Sequence, residues 1–496
     1  MLASREGAAP PMPLPELLDS NNPRLAGIDV SGMQLDSRKV QPGDLFLAMP
    51  GEMHDGRQFI EQAVASGAAA VLAEAPVSGF VDEVSVPIVE VPELRIEAGF
   101  IAAKLHGHPS QDMHVVGTTG TNGKTTTSRL IGQLARDLGT PCGVIGTLGC
   151  SLTDEVTTSA NTTPDPLSLQ WQLAQWRQQG VLSVGMEVSS HALVQGRVNG
   201  VQFETAIYTN LSHDHLDYHG TMGAYSRAKL RLFASEGLKN ALINLDDDFA
   251  PLVAAAVPAG VQILTYSASG AAADIRIEKA QFHAGGVRGE LHSPWGSAQF
   301  SSPLPGAFNL ANLAAAVSSL VLAGQDLQSV LAAVGGLRQV PGRMQSIPNN
   351  QQLQVVVDYA HTPDALEQVL QALRPHVEGS LITVFGCGGD RDRAKRQLMA
   401  RAACTLSDRV VVTSDNPRNE EPLQIIADIE SGCSGDYLVL ADRAEAIAYA
   451  VAEAAATDCI LIAGKGHEDY QLIDGERLYF SDVDQARDAL TRRAQL

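Results

Sequence analysis

The sequence predicts an α/β protein of three domains, residues 1–109, 110–338 and 339–496. Three observations predict it. The 496 residues suffice for about three domains of ordinary size. Short apolar runs alternate with helical patterns along most of the chain, which calls for a mainly parallel sheet with helices on its faces. Turn-forming clusters divide the elements at two places: His106-Gly107-His108-Pro109, and Gly335-Gly336 with Pro341-Gly342.

In chain order, residues 1–22 are polar and Pro-rich and read as a loose start. Leu45 to Ala48 reads as a strand, Phe59 to Ser66 as a helix closed by Gly67, and Ala68 to Leu72 as the next strand. The second domain opens with a strand from Met113 to Gly117. A helix follows with Leu130, Ile131, Leu134 and Leu138 on one stripe. Further strands are expected over Gly143 to Ile145, Val181 to Val188, Thr205 to Thr209 and Ala241 to Leu245. The third domain repeats the alternation. Val355 to Asp358, Leu381 to Phe385, Val410 to Thr413 and Cys459 to Ala463 read as strands, and Ala365 to Leu373 and Ala444 to Ala454 as helices. Its sheet could be doubly wound, but it carries no G-x-G-x-x-G, so a dinucleotide reading has no support.

Composition excludes several function classes. Hydrophobic residues make up 45% and mean hydropathy is −0.01, as in a soluble globular protein with sizeable cores. Fifty-six acidic against 35 basic residues give a net charge of −21, which argues against wrapping a nucleic acid. No basic segment followed by an apolar run opens the chain, and no apolar stretch approaches the length of a membrane span. The six cysteines are scattered without a C-x-x-C pair and read as buried thiols in a reducing compartment. A monomer in the cytoplasm is the expectation.

The most informative segment is Gly120-Thr121-Asn122-Gly123-Lys124-Thr125-Thr126, between the first strand and helix of the second domain. Glycines let backbone N–H groups approach phosphate oxygens, Lys124 adds a point charge, and the Thr125 hydroxyl can reach Mg²⁺. The first glycine of a full P-loop would fall on Thr118, and Gly117 and Gly120 flank it instead. The strand before, the helix after and the Lys-Thr pair predict binding of ATP or GTP. A GTPase switch would need a guanine-reading N-K-x-D, which is absent.

Other strand ends carry polar groups. His213, His215, Asp217 and His219 alternate, so an extended backbone would put them on one face. They read as a metal cluster in the manner of a dedicated zinc site, as a set of which one His serves an Mg²⁺-phosphate role, or as a polar loop at a strand's end. Glu187, at another strand end, is a candidate Mg²⁺ ligand. Gly386 to Arg391, Asp415-Asn416-Pro417-Arg418 and Gly464-Lys465-Gly466-His467-Glu468 follow three strands of the third domain. Together they predict one polar cleft there.

With these segments assembled, the sequence resembles the Mur ligase family. The matching stretches are Leu35-Asp36-Ser37-Arg38, Gly120 to Thr126, Asn161-Thr162-Thr163, Glu187 to His191, Asn210 to His219, Asp358 to Asp364, Gly386 to Arg391, Asp415 to Arg418 and Gly464 to Glu468, in family order over nearly the whole chain. The resemblance implies an N-terminal UDP-sugar domain, a central P-loop ATPase and a C-terminal Rossmann-like domain. It implies ATP- and Mg²⁺-dependent amide formation in peptidoglycan synthesis through an acyl phosphate. The Asp-Asn-Pro-Arg form resembles the subgroup that adds meso-diaminopimelate to UDP-N-acetylmuramoyl-L-alanyl-D-glutamate. A lysine-adding sister ligase and a folylpolyglutamate synthase are the nearest alternatives.

Residue by residue, the resemblance implies that Gly120 to Thr126, Asn309, Asn312, Arg343 and Asp358 face ATP. Thr125, Glu187, His215 and Lys229, the last as a carbamate, would hold Mg²⁺, with Lys124 completing the catalytic group. Leu35, Ser37, Glu52, Met53 and His54 would bind the uridine end of the nucleotide substrate. Asn161, Thr162, Thr163, Ser189, Gln195 and Arg197 would bind its muramoyl-dipeptide. Arg391, Asp415, Asn416, Pro417, Arg418, Gly464 and Glu468 would bind diaminopimelate. Closure of the domains would then exclude water from the acyl phosphate.

Overall fold

The computed structural model describes residues 11–51, 54–80, 84–152, 156–157, 161–283 and 286–495. At the N-terminal end four parallel strands pair in chain order: Gly32–Gln34, Asp44–Ala48, Ala70–Glu74 and Ile88–Val91. Strands covered on both faces read as continuous apolar runs. Leu45, Leu47, Ala70 and Leu72 enter one core with Leu94, Ala98 and Ala102 of the helix Leu94–Leu105. Phe46, Ala48, Val71 and Ala73 enter the other with Ile60 and Ala63. The helix expected from Phe59 is a 3₁₀ turn, Gly56–Phe59, running into Ile60–Ala65.

The loose start expected over residues 1–22 needs correction beyond residue 11, residues 1–10 lying outside the described residues. Met12–Pro13 pairs with Asp29–Val30, and Leu14–Leu17 forms one helical turn. Leu14 and Leu17, three residues apart, are buried in the N-terminal core. Of the prolines in that segment, Pro13 caps the turn and Pro15 lies in its first two positions, where a fixed φ suits a helix.

Among the described residues the central sheet has eleven strands. Its middle is parallel: Cys142–Gly146, Ser183–Glu187, His114–Thr119, Thr205–Tyr208, Asn240–Asn244 and Gln262–Ser267 lie side by side. Lys124–Asp137 and Phe308–Leu322 cover one face, and Pro166–Gln178 covers the other. Ile275–His283 joins this block with a short parallel pairing to Gln262–Ser267, and Gly286–Ser293 and Gly296–Ser302 then continue the sheet antiparallel. Gly149–Ser151 and Val156–Thr157 close the opposite edge. The sequence reading did not resolve these flanks. Half-solvated strands bury single positions, such as Ile275 and Ile277, between more exposed polar neighbours and never form an apolar run.

The third sheet runs Gln345–Ser346, Gln354–Asp358, Cys459–Ala463, Leu381–Phe385, Arg409–Val412, Tyr437–Val439. All but the first edge strand are parallel. Two apolar layers flank it, built around Leu366, Leu370 and Met399 on one face and Ile447, Val451 and Leu490 on the other. Loops at the carboxyl ends of parallel strands emerge along one edge of a sheet. Here the loop edges of the central and third sheets line the two sides of a single cleft. No helix among the described residues is long and apolar enough to cross a membrane.

Candidate active site

The cleft has a volume of about 1140 Å³ and takes in the phosphate loop, Glu187, His215, Lys229, Arg343, Arg418 and Glu468. On the central side the loop is shaped by two glycines in the left-handed region, Gly120 (φ 151°) and Gly123 (φ 87°). A side chain at Gly120 would collide with the Thr209 hydroxyl. Gly117, by contrast, lies in the strand with Phe203 packed where a Cβ would go, so it serves the core and not the loop. Side chains behind the loop fix it. Asn210 Oδ1 accepts from the Asn122 amide at 2.8 Å, the Thr209 hydroxyl donates to the Asn122 carbonyl at 2.6 Å, and the Thr121 hydroxyl pairs with Tyr225 at 3.1 Å. The helix Lys124–Asp137 begins at once, so its N-terminal N–H groups and partial positive charge face the same space.

Lys124 Nζ donates to the carbonyls of Gly120 and Thr121, at 2.9 and 2.8 Å. Lys229, buried on the helix Met222–Leu230, donates to the same Gly120 carbonyl at 2.6 Å. Burial, reinforced by the Lys124 charge, drives the Lys229 pKa well below that of an ordinary lysine. Lys124 is lowered as well, mainly by burial, with Glu187 and Asp214 opposing.

Glu187 is 1% exposed at the end of its strand. Its carboxylate accepts from the Thr125 hydroxyl (3.0 Å), the Thr147 amide (2.7 Å) and the Thr147 hydroxyl (3.1 Å). Arg343 Nη2 donates to the Thr125 hydroxyl at 3.0 Å, and its guanidinium stacks on Tyr359. Thr125 and Glu187 are hard oxygen donors beside a phosphate loop, and this donor chemistry fits Mg²⁺.

The expected alternation of His213, His215, Asp217 and His219 onto one face does not hold. His215 takes a left-handed conformation (φ 54°) and Leu216–His219 is a helical turn, so the four diverge. His213 Nε2 meets Asp392 at 2.5 Å, and His215 Nε2 lies 3.3 Å from Asp214. Asp217 pairs with Arg391 at 3.2 Å, and His219 Nε2 lies 2.9 Å from the Ser190 hydroxyl. Among the described residues no group of three or more such side chains is arranged to hold a metal by itself. Burial holds His215 below the usual imidazole pKa and lowers His191 to about 4.

On the opposite side the three glycine-containing loops of the third domain meet, as their strand ends predicted. Arg418 (φ 54°) donates from Nη1 to the Gly389 carbonyl at 2.7 Å. Asn416 Nδ2 donates to Glu468 at 2.8 Å. Burial first, then the Asp415 charge, raises the Glu468 pKa. Arg391, Arg418 and Glu468 line the cleft, while Asp415, Asn416 and Pro417 are buried behind it. Gly464 (φ 120°) keeps clear the space taken by the Asp415 carboxylate.

Placement of the remaining expected residues is mixed. Asn161, Thr162, Ser189, Gln195 and Arg197 line the cleft, and Thr163 lies just beneath, donating to the Glu187 carbonyl at 2.9 Å. Asn312 lines it, whereas Asn309 turns inward and donates to the Pro305 carbonyl. Asp358 lines the cleft but spends both oxygens on the Met344 and Ala360 amides, at 2.6 and 2.7 Å. Leu35, Ser37 and His54 belong to the N-terminal unit, outside the walls of this cleft. Ser37 donates to Gln62 at 2.9 Å. Glu52 and Met53 lie outside the described residues. Sequence reasoning missed Thr147, Asp214, Tyr359 and His361 as site residues. All four line the cleft within a few residues of a strand's carboxyl end, which is the signal that could have found them.

Comparison with known proteins follows the same layout. Residues 29–103 match the family description "Mur ligase family, catalytic domain", residues 118–320 "Mur ligase middle domain", and residues 342–466 "Mur ligase, glutamate ligase domain". The chain is 46% identical to the UDP-N-acetylmuramoyl-L-alanyl-D-glutamate--2,6-diaminopimelate ligase of Coxiella burnetii, over 96% of this chain and 99% of that protein. It is 48% identical to the enzyme of the same name from Ectopseudomonas mendocina, over 97% and 98%. A solved structure of a ligase of that name superposes with a TM-score of 0.68 at 43% identity, covering 94% of this chain and 96% of that one. MurF from Acinetobacter baumannii shares the fold, with a TM-score of 0.67 at 20% identity over 92% and 96%.

Proposed function

We infer that this chain, which belongs to the Mur ligase family, joins meso-2,6-diaminopimelate to UDP-N-acetylmuramoyl-L-alanyl-D-glutamate in an ATP-dependent step of peptidoglycan synthesis. The observation that carries the reading is the shared cleft. One continuous space joins a phosphate loop on one sheet to Arg418 and Glu468 on another. An enzyme that activates a carboxylate with ATP and hands it to an amine needs both in reach of one reacting carbon.

Thr125, Glu187 and His215, with Lys229 as a carbamate, would hold Mg²⁺, which supplies charge neutralisation to the transferring phosphoryl group. The loop amides and Lys124 bind the phosphates. Asn312 and Arg343 orient the rest of the nucleotide, with Asn309 and Asp358 bracing their segments. The D-glutamate carboxylate attacks the γ-phosphorus and ADP leaves. The amine of diaminopimelate then attacks the acyl phosphate, and phosphate departs with the C–O bond. Asn161, Thr162, Ser189, Gln195 and Arg197 position the muramoyl-dipeptide. Leu35, Ser37 and His54, from the N-terminal unit, take its uridine end. A buried, weakly basic Lys229 supports carbamylation, because only a neutral amine adds to CO₂.

Arg418 reads the second carboxylate of diaminopimelate, with Arg391 beside it, and Glu468 receives the amino group of the same head. Lysine lacks that head and would leave Arg418 unpaired in a half-buried site, which disfavours the lysine-adding alternative. Three domains at 1–109, 110–338 and 339–496 are supported by three separate sheets of four or more strands among the described residues, and closure would run about segments near 110 and 338. The free thiols and acidic composition support a cytoplasmic, monomeric enzyme acting on small molecules. The test is phosphate release from ATP with the nucleotide dipeptide and either meso-diaminopimelate or L-lysine. Release with diaminopimelate alone, with tripeptide formed, is expected. Release with lysine alone would overturn the specificity, and release with neither would overturn the reaction.

A further inference from the structure

A buried lysine that no ligand can touch lies behind the amino-acid end of the cleft. Lys465 is 0% exposed and is not part of the cleft wall. Its Nζ donates to Asn416 Oδ1 at 3.0 Å and to Glu468 Oε2 at 3.4 Å, and stands 3.8 Å from Asp415 Oδ1. One ammonium therefore joins the Asp415–Arg418 loop to the Gly464–Glu468 loop. The strand Tyr470–Ile473 fastens the assembly. Its Leu472 amide donates to Asn416 Oδ1 at 3.1 Å, and its Leu472 carbonyl accepts from the Arg418 amide at 2.9 Å.

Burying a charge is unfavourable unless it is paired and hydrogen-bonded, and an apolar residue would fill the same space without that demand. Lys465 must then do something that packing alone does not. Asn416 and Lys465 both address Oε2 of Glu468, from behind the wall. Oε1 accepts from the Tyr359 hydroxyl at 3.4 Å, and its second lone pair remains for a ligand. Two carboxylates, Asp415 and Glu468, face one lysine. The lysine therefore holds Glu468 in one orientation without neutralising both acids.

We propose that Lys465 is a positioning residue for the acceptor amino acid, aligning Glu468 and the Arg418 loop by cross-linking them from below. This rests on the assignment of Glu468 and Arg418 to the amino-acid site. It predicts a selective defect. Lys465→Met keeps the unbranched stem and removes the charge. The KM for the amino acid that supports phosphate release in the wild type should rise about 30-fold, while the KM for ATP stays within about 2-fold. In a Glu468→Gln background the same substitution should raise that KM less than about 3-fold, because the two residues act as one unit. Equal effects in both backgrounds would overturn the proposal, as would a parallel loss for all three substrates in a folded variant. A crystal structure of the Lys465→Met/Glu468→Gln double variant, which removes the ammonium together with the cleft-facing carboxylate and leaves Asp415 as the remaining charge of the three, guards against a single variant that fails to fold. Loops 415–418 and 464–468 displaced on an unchanged sheet support the proposal, and unmoved loops refute it. If the wild type uses no amino acid, the functional reading falls. The structure of the variant still decides whether Lys465 holds the loops.

Discussion

The two walls of the cleft are built on different principles. The central wall works through backbone: amides of a glycine-bent loop and a helix N-terminus, braced from behind by Asn210 and Thr209. The C-terminal wall works through side chains: Arg418 and Glu468 supported by Asn416, Lys465 and Asp415. Phosphates are alike in every nucleotide, so a main-chain cradle serves. An amino acid is known by where its charges stand, so its reader must be made of charged side chains held still.

This contrast can be broken or sharpened by experiment. The largest effect is expected at Lys229. Lys229→Ala should lower kcat about 1000-fold, since it removes charge stabilisation at the phosphoryl group, with partial rescue by formate or acetate. An alanine variant with normal turnover would remove Lys229 from the central wall's machinery. Next, Arg418→Ala should raise the KM for diaminopimelate about 100-fold, within the ~2–5 kcal/mol of a lost buried charge pair. ATP affinity, measured by calorimetry, should stay put, and a matching loss of ATP binding would show that the walls are not independent.

A smaller effect is expected on the backbone side. Gly123 has φ 87°, and a Cβ there would come 2.5 Å from Asn312 Oδ1. Gly123→Ala should weaken ATP binding about 10-fold through backbone strain and leave amino-acid affinity unchanged. Asp392→Asn loosens the contact with His213 that bridges the walls and should raise KM values only about 3-fold, because both groups reach solvent.

Acidification offers a last comparison. Burial lowers His361 to about 4 and His467 to about 3. In the unfolded chain both take up protons near pH 6.5, and in the folded one only near those lower values. The folded state therefore binds fewer protons across that window, and stability falls as pH drops through it. Tm measured from pH 7 to 4.5 should decline. The double variant His361→Gln/His467→Gln should show a shallower decline, and an identical slope would refute the assignment.

How much of this was legible in the sequence follows the same divide. A strand, a glycine loop and a helix are consecutive in the chain, so Gly120 to Thr126 announced themselves. The parallel strands did too, because burial on both faces leaves apolar runs such as Cys459–Ala463. The antiparallel flank over Ile275–His283 did not, since half-exposed strands show no such run. The alternating His213 to His219 misled, because an alternation means one face only if the backbone is extended, and here it turns at His215. Lys465 stood in a loop read as part of the cleft, but its place behind the wall was not legible. Its partners Asn416 and Glu468 are 49 and 3 residues away, and a fully buried lysine reads as a surface one until the fold encloses it.

Among the described residues, the central and third sheets share no strand. Side-chain pairs cross between their loop edges, among them Asn122 to Asp364, Arg343 to Thr125, His213 to Asp392, Arg391 to Asp217 and His361 to Asp214. Such a joint is soft beside the plates it connects, because short side-chain fastenings yield long before a hydrogen-bonded ladder does. Any molecule long enough to touch both rims becomes a rivet. Filling the cleft would therefore do more than start a reaction: it would stiffen the whole body, and a tight inhibitor could be recognised by that stiffening alone.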